Sequence, residues 1–92
     1  MKEDLLTIIN YYGIDKQLKY IHSEYYELDE SILEYEYDET SYVDTKYIAE
    51  ELAVIQVMLK QFQYYYGIED KEIEDIMKFK IQRQLDRIKE EK

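Results

Sequence analysis

The sequence contains no cysteine, no proline and no tryptophan, and only two of its 92 residues are glycine. Without cysteine, disulfide bonds, thiolate zinc sites and cysteine nucleophiles are excluded. Each glycine, Gly13 and Gly67, follows a tyrosine cluster and precedes an isoleucine and an acid, which is typical of one helix ending and another beginning. The uncharged run 52–59 is far shorter than the ~20 residues of a membrane span. The first residues lack a signal-peptide pattern, so we expect a soluble cytoplasmic protein.

Positive charge is also scarce, with 12 basic residues against 22 acidic ones and a net charge of −10. This balance excludes the electrostatic footprint of a nucleic-acid-binding protein. Residues 24–51 contain eleven acids and a single base, Lys46, so this segment carries the whole net charge. A chain of this length forms one domain, here 1–92, and buries only about 60–65% of its unfolded surface. We therefore expect further copies of the chain to complete a thin core.

The pattern of apolar residues predicts an all-α protein, an antiparallel bundle of about four helices. Asp44 or Thr45 is the expected N-cap of the third helix, and Asp70 that of the fourth. A loop of about six residues joins the second helix to the third, which favours antiparallel neighbours. The predicted helices cover about residues 2–12, 15–36, 44–66 and 70–90.

Three of these helices carry an apolar stripe whose members recur every three or four residues. Such stripes are typical of helices packed side by side at a shallow angle. The stripe of the second helix consists of Leu18, Ile21, Tyr25, Leu28, Ile32 and Tyr35. That of the third consists of Ile48, Leu52, Ile55, Leu59, Phe62 and Tyr66, and the narrower one of the fourth of Ile73, Met77, Ile81, Leu85 and Ile88.

Three carboxylates are set at or beside these stripes. Glu51 lies within the apolar arc of the third helix, and Glu24 and Glu27 lie one turn apart on the edge of the second. A carboxylate in a helix–helix seam is costly unless it is paired or binds a cation. Oxygen ligands without cysteine or histidine suit Mg²⁺ or Mn²⁺. Alternatively, the three acids pair with bases on one side of the fourth helix, namely Lys80, Arg83 and Arg87.

At these acids the sequence resembles the MazG-like all-α nucleotide pyrophosphohydrolases, in their short form from low-GC bacteria and phages. That family carries an E-E-x-x-E motif on one helix and an E-x-x-D motif on the next. Here residues 23–27 read S-E-Y-Y-E and residues 51–54 read E-L-A-V. Residues 80–88, K-I-Q-R-Q-L-D-R-I, also resemble the family. Ser23 and Val54 stand where the family has acids, which would impair a second metal position most.

The resemblance implies a MazG-like fold and hydrolysis of nucleoside triphosphates to the monophosphate and pyrophosphate. It implies that Glu24, Glu27 and Glu51 are the catalytic and metal-binding residues, with Mg²⁺ or Mn²⁺ as cofactor. It also implies a homodimer or tetramer in the cytoplasm of a bacterium or a phage-infected cell. The bases expected to bind the nucleotide phosphates, across the bundle or from a second subunit, are Lys80, Arg83 and Arg87.

A second interpretation assigns the chain to a different class. A catalytically silent acidic helical protein could cover a basic surface of a host protein, as a phage inhibitor of a host defence or regulatory protein does. Complementary charge would speed such an encounter and make it sensitive to salt. In this interpretation the acids of 24–51 act together, and no single carboxylate is essential.

Overall fold

The computed structural model describes residues 1–91, which form four α-helices and no strand. The all-α prediction is confirmed, and each helix boundary lies within one or two residues of the predicted one. None of the described helices is long and apolar enough to cross a membrane. The helices are α1 (Lys2–Tyr12), α2 (Ile14–Tyr37), α3 (Thr45–Tyr65) and α4 (Asp70–Glu91).

The ends of the helices follow local chemistry. Gly13 separates α1 from α2 with a φ of 88°, and Gly67 follows α3 with a φ of 69°. Only glycine adopts this left-handed region without a steric penalty. Of the two predicted caps of α3, Asp44 is the one that forms, because its carboxylate accepts a hydrogen bond of 2.9 Å from the backbone N–H of Tyr47.

Asp70 was predicted to cap α4, and this prediction is wrong. Asp70 is the first residue of α4, and its carboxylate accepts hydrogen bonds from the Tyr64 hydroxyl at 2.8 Å, Gln63 at 2.8 Å and Lys60 at 3.0 Å. These hydrogen bonds lower the pKa of Asp70 to about 2, and the bond from Gln63 has the largest effect. Asp70 therefore fastens the start of α4 to the end of α3.

The first three helices pack together, and the fourth does not join them. Residues on α2 and α3 meet in antiparallel register, as Gln17 and Gln61 show with a 2.8 Å side-chain hydrogen bond, and α1 packs against both helices. Apart from the bonds of Asp70 to the end of α3, α4 does not pack against another helix within residues 1–91. Its most protected apolar residue, Ile73, is only half-buried. The buried apolar residues are Leu5, Ile9, Met58 and Tyr64.

The contact between α2 and α3 uses only one edge of each predicted stripe. On α2 the buried residues are Gln17 and Ser31, and from the stripe only Ile21 and Leu28 are half-buried. Leu18, Tyr25 and Ile32 stay exposed by 44%, 64% and 42%. The buried positions Gln17 and Ser31 each precede a stripe residue by one. Because successive residues of a helix point about 100° apart, the side of the stripe farthest from this contact remains in solvent. Within a single chain, the packing of α2 against α3 therefore covers only part of the predicted stripe.

Replacing Ile9 with alanine is expected to lower the free energy of unfolding by about 2–4 kcal/mol. The Ile9 side chain is fully buried, with 0% of its surface exposed, so its removal leaves a cavity. Its neighbour Ile8 is 37% exposed, and Ile8→Ala should cost about 1 kcal/mol or less. Urea unfolding of both variants followed by circular dichroism measures the difference. Equal losses would show that α1 does not pack as described.

Candidate metal centre

The acidic cluster Glu24, Glu27 and Glu51 lies where α2 and α3 face each other. Glu24 and Glu27 are neighbours on α2 because residues three apart share one face of a helix. The antiparallel α3 brings Glu51 to the same point. One carboxylate oxygen from each residue lies within 4.8 Å of the other two. The structure thus brings together the three carboxylates that the sequence singled out.

Glu51 is the unusual member of the acidic cluster. It is only 8% exposed, and among the described residues no group forms a hydrogen bond with its Oε2 atom. Burial, followed by its interaction with Glu24 and by the charge of Glu27, raises the pKa of Glu51 to about 7. Glu24 is half-buried and Glu27 is exposed, so the cluster opens to solvent on the Glu27 side. A cation here would relieve the repulsion and give the buried oxygen a partner.

Tyr20 belongs to the same site, although the sequence motifs did not predict it. It lies one turn before Glu24 on α2, and the negative charge of Glu24 is the largest cause of its raised pKa, followed by burial. The Tyr20 hydroxyl therefore stays protonated at neutral pH and is available as a donor beside Glu24. The four-residue spacing was the only signal in the sequence, and the twelve tyrosines of the chain obscured it.

A groove of about 800 Å³ opens beside the acidic cluster, between α1, α2 and α3. Tyr20 and Val54 form its near end, since Val54 follows Glu51 by three residues on α3. Its other end contains Gln17 and Gln61, whose amides are buried and joined by the 2.8 Å hydrogen bond. Apolar atoms form most of the lining. The remaining lining residues are Ile8, Tyr12, Lys16, Lys19, Ala53, Val57 and Met58.

The donor set fits a hard cation with an incomplete shell of protein ligands. Three carboxylates suit Mg²⁺, which commonly keeps several waters and uses few protein ligands. The two substituted motif positions provide no further carboxylate, because Val54 is a half-buried apolar wall of the groove and Ser23 is an exposed hydroxyl on α2.

Within one chain, the structure does not bring the predicted phosphate-binding bases to the acidic cluster. Lys80, Arg83 and Arg87 are exposed on α4, which does not pack against α2 or α3. The alternative in which these bases pair with the three acids is therefore not formed within one chain. In the described part of the chain, the ion pairs are Lys2–Glu69, Lys60–Asp70, Lys71–Asp75 and Lys78–Glu74.

Comparison with protein-family models, with curated proteins and with solved structures found no match for this chain. The resemblance to the MazG-like family thus stays a prediction from sequence segments, among them 23–27, 51–54 and 80–88. The chemistry of the site has to be argued from the acidic cluster and from the groove beside it.

Proposed function

We propose that the chain is a MazG-like, Mg²⁺-dependent nucleoside triphosphate pyrophosphohydrolase. The observation that carries the proposal is the acidic cluster, in which three carboxylates converge and the buried Glu51 has an oxygen without a partner. Burying a carboxylate oxygen without a partner lowers the stability of the folded protein, so its presence indicates a use. A divalent cation bound by Glu24, Glu27 and Glu51 would compensate this charge, and the motifs at residues 23–27 and 51–54 provide the link to nucleotide hydrolysis.

Each part of the site has a role in this reaction. Glu24, Glu27 and Glu51 would hold Mg²⁺, which when bound neutralises phosphate charge and lowers the pKa of a bound water. Water adds to the triphosphate, the bond between the α- and β-phosphates breaks, and the monophosphate and pyrophosphate leave. Tyr20, whose hydroxyl is protonated beside Glu24, would orient Glu24 by donating a hydrogen bond to it.

The groove provides room for the nucleoside. Met58 lies seven residues beyond Glu51 on α3, a distance of roughly 10 Å along the helix axis. A nucleotide whose phosphates meet the acidic cluster can therefore place its base along the apolar wall, near the Gln17 and Gln61 amides. Lys16 and Lys19 line the same groove and favour an anionic ligand.

The test is pyrophosphate release from a panel of ribo- and deoxyribonucleoside triphosphates with Mg²⁺ or Mn²⁺. We expect turnover that EDTA abolishes. Glu51→Gln removes a metal ligand and should reduce turnover by roughly 100-fold or more. Glu50→Gln is the matched control, since Glu50 is the adjacent exposed acid, and it should stay within about threefold of the wild type. A folded wild type without turnover, or equal losses in both variants, would contradict the proposal.

A second candidate function is favoured by the unpaired charge of the acidic segment. None of the ion pairs within residues 1–91 involves an acid of 24–51. If the chain is a binding protein for a basic surface, affinity should fall steeply with salt. Neutralising Glu30, Glu34, Glu36 and Asp38 together should weaken binding, whereas Glu51→Gln alone should not.

A further inference from the structure

The described chain exposes far more surface than a compact monomer of its mass. Its accessible surface is 7704 Å², whereas a compact 11.4 kDa monomer exposes about 5,800 Å². Its radius of gyration is 16.5 Å, against about 12 Å for a compact domain of this length. The excess area, about 1,900 Å², is more than twice the ~800 Å² that each partner buries in a standard protein interface.

The first source of the excess is α4. Helix α4 is 22 residues long, and beyond Asp70, which is bonded to the end of α3, it packs against none of the other helices in residues 1–91. Most of the stability of a helix in a protein comes from the packing of its apolar face, and α4 lacks this packing within one chain. Its exposed apolar side chains are 47–62% accessible, and they are Ile76, Met77, Phe79, Ile81, Leu85 and Ile88.

The second source is an apolar face on the α2–α3 pair. On α2, Leu18, Tyr25 and Ile32 recur every seven residues, and on α3 Leu52 and Leu59 do so, with exposures of 42–64%. On both helices these residues lie about 90° from the direction of the buried contact. Because the helices are antiparallel, the two rotations point to the same side. A seven-residue repeat on two neighbouring helices is the pattern of a seam that receives another helix.

Charge favours the pairing of these two surfaces. Residues 78–89 of α4 contain five bases and one acid, Asp86, whereas residues 24–51 carry a charge of −10. Within one chain residues 78–89 of α4 do not pack against α2 or α3, so these opposite charges do not meet. In a twofold dimer, α4 of each copy can contact the α2–α3 pair of the other copy. The basic segment then lies near the acidic segment, and the two apolar surfaces cover each other, once in each half of the dimer.

We propose that two copies of this chain form a twofold dimer by exchanging α4. The apolar row of α4, with Met77, Ile81 and Ile88, packs on the α2–α3 face of the other copy, over Leu18, Leu52 and Leu59. The exchange carries the bases of one copy to the acidic α2 of the other. The dimer does not depend on the proposed activity, since it rests on exposed apolar faces and on opposite charges and requires neither metal nor nucleotide.

Sedimentation equilibrium of the wild type should give about twice the 11.4 kDa chain mass. Ile81→Lys or Leu59→Lys should weaken the dimer by roughly 30-fold or more, as at an interface hot spot. Phe79→Lys is the matched control, because Phe79 is 62% exposed on the opposite side of α4, and it should leave the dimer intact. A monomeric wild type, or equal dissociation by all three variants, would overturn the proposal.

Cross-linking tests the exchange itself, since the chain has no cysteine of its own. The variants Leu59→Cys and Ile81→Cys are oxidised singly and as a mixture. We expect the disulfide-linked dimer to form mainly in the mixture, because the proposed packing places Ile81 of one copy near Leu59 of the other. A linked dimer of Ile81→Cys alone at equal yield would show that the two α4 helices pack on each other, which contradicts the exchange.

Discussion

Glu51→Gln is expected to make the protein more stable than the wild type at pH 8 and to leave its stability unchanged at pH 5. Glu51 is buried and its pKa is raised from 4.5 to about 7. At pH 8 the wild type therefore holds a buried, unpartnered negative charge beside Glu24 and Glu27. Glutamine has nearly the same shape, carries no charge and keeps an N–H donor for Glu24.

Proton linkage explains why the stability of the wild type falls as pH rises. A carboxyl whose pKa is raised on folding binds its proton more tightly in the native state, so this contribution to stability is complete below pH 4.5 and is lost as pH rises through about 7. We expect the wild type to lose on the order of 2 kcal/mol between pH 5 and pH 8. Thermal or urea unfolding across this range measures the loss. The slope should persist in Glu50→Gln and disappear in Glu51→Gln, and an unchanged slope in Glu51→Gln would refute the assignment.

Mg²⁺ should reverse the loss, and this readout does not require catalysis. Metal binding needs deprotonated carboxylates, so Mg²⁺ should stabilise the wild type at pH 8 and much less at pH 5. At a concentration ten times its Kd, the ion adds about 1.4 kcal/mol. Glu51→Gln should show little of this gain at either pH. If Mg²⁺ stabilised the wild type and Glu51→Gln equally, the ion would bind at a site other than the acidic cluster.

The convergence of the acidic cluster was predictable from the sequence, whereas the placement of α4 was not. Glu24 and Glu27 share a face because of helical spacing, and Glu51 joins them because a short loop makes α2 and α3 antiparallel. The stripe on α4 predicts a helix with a buried face, but periodicity carries no information about which chain covers it. For the same reason the sequence did not show which edge of the α2 stripe would remain exposed.

Side chains without a recognisable motif were the least predictable. Gln17 and Gln61 are 44 positions apart, and nothing in either local segment indicates the buried hydrogen bond that joins them. Asp70 precedes a helical pattern and so has the usual features of a cap. Its carboxylate is instead bonded to three side chains at the end of α3, those of Lys60, Gln63 and Tyr64. Tertiary contacts decided both cases.

Val54→Asp is expected to increase Mg²⁺-dependent turnover by about tenfold or more, comparable to the losses that follow removal of groups supporting a metal site. Val54 lies three residues after Glu51 on α3, in the groove wall next to the acidic cluster, so aspartate there adds a fourth carboxylate to the site. Without metal the additional charge should lower stability at pH 8, and Mg²⁺ should restore it. A variant that is less stable in EDTA and more active in Mg²⁺ thus indicates completion of the site.

Val57→Asp provides the matched control for this gain. Val57 lies one turn beyond Val54, is 45% exposed and lines the same groove, so aspartate adds the same charge at roughly 9 Å from Glu51 along the helix axis. It should add no turnover and no stabilisation by Mg²⁺. Combining Val54→Asp with Glu51→Gln should remove the gain in turnover, because the double variant lacks the Glu51 carboxylate that would bind the metal together with the aspartate at position 54. If Val54→Asp folds but shows neither turnover nor stabilisation by Mg²⁺, the acidic cluster is not a weakened metal centre, and the binding protein for a basic surface becomes the better explanation of the charge.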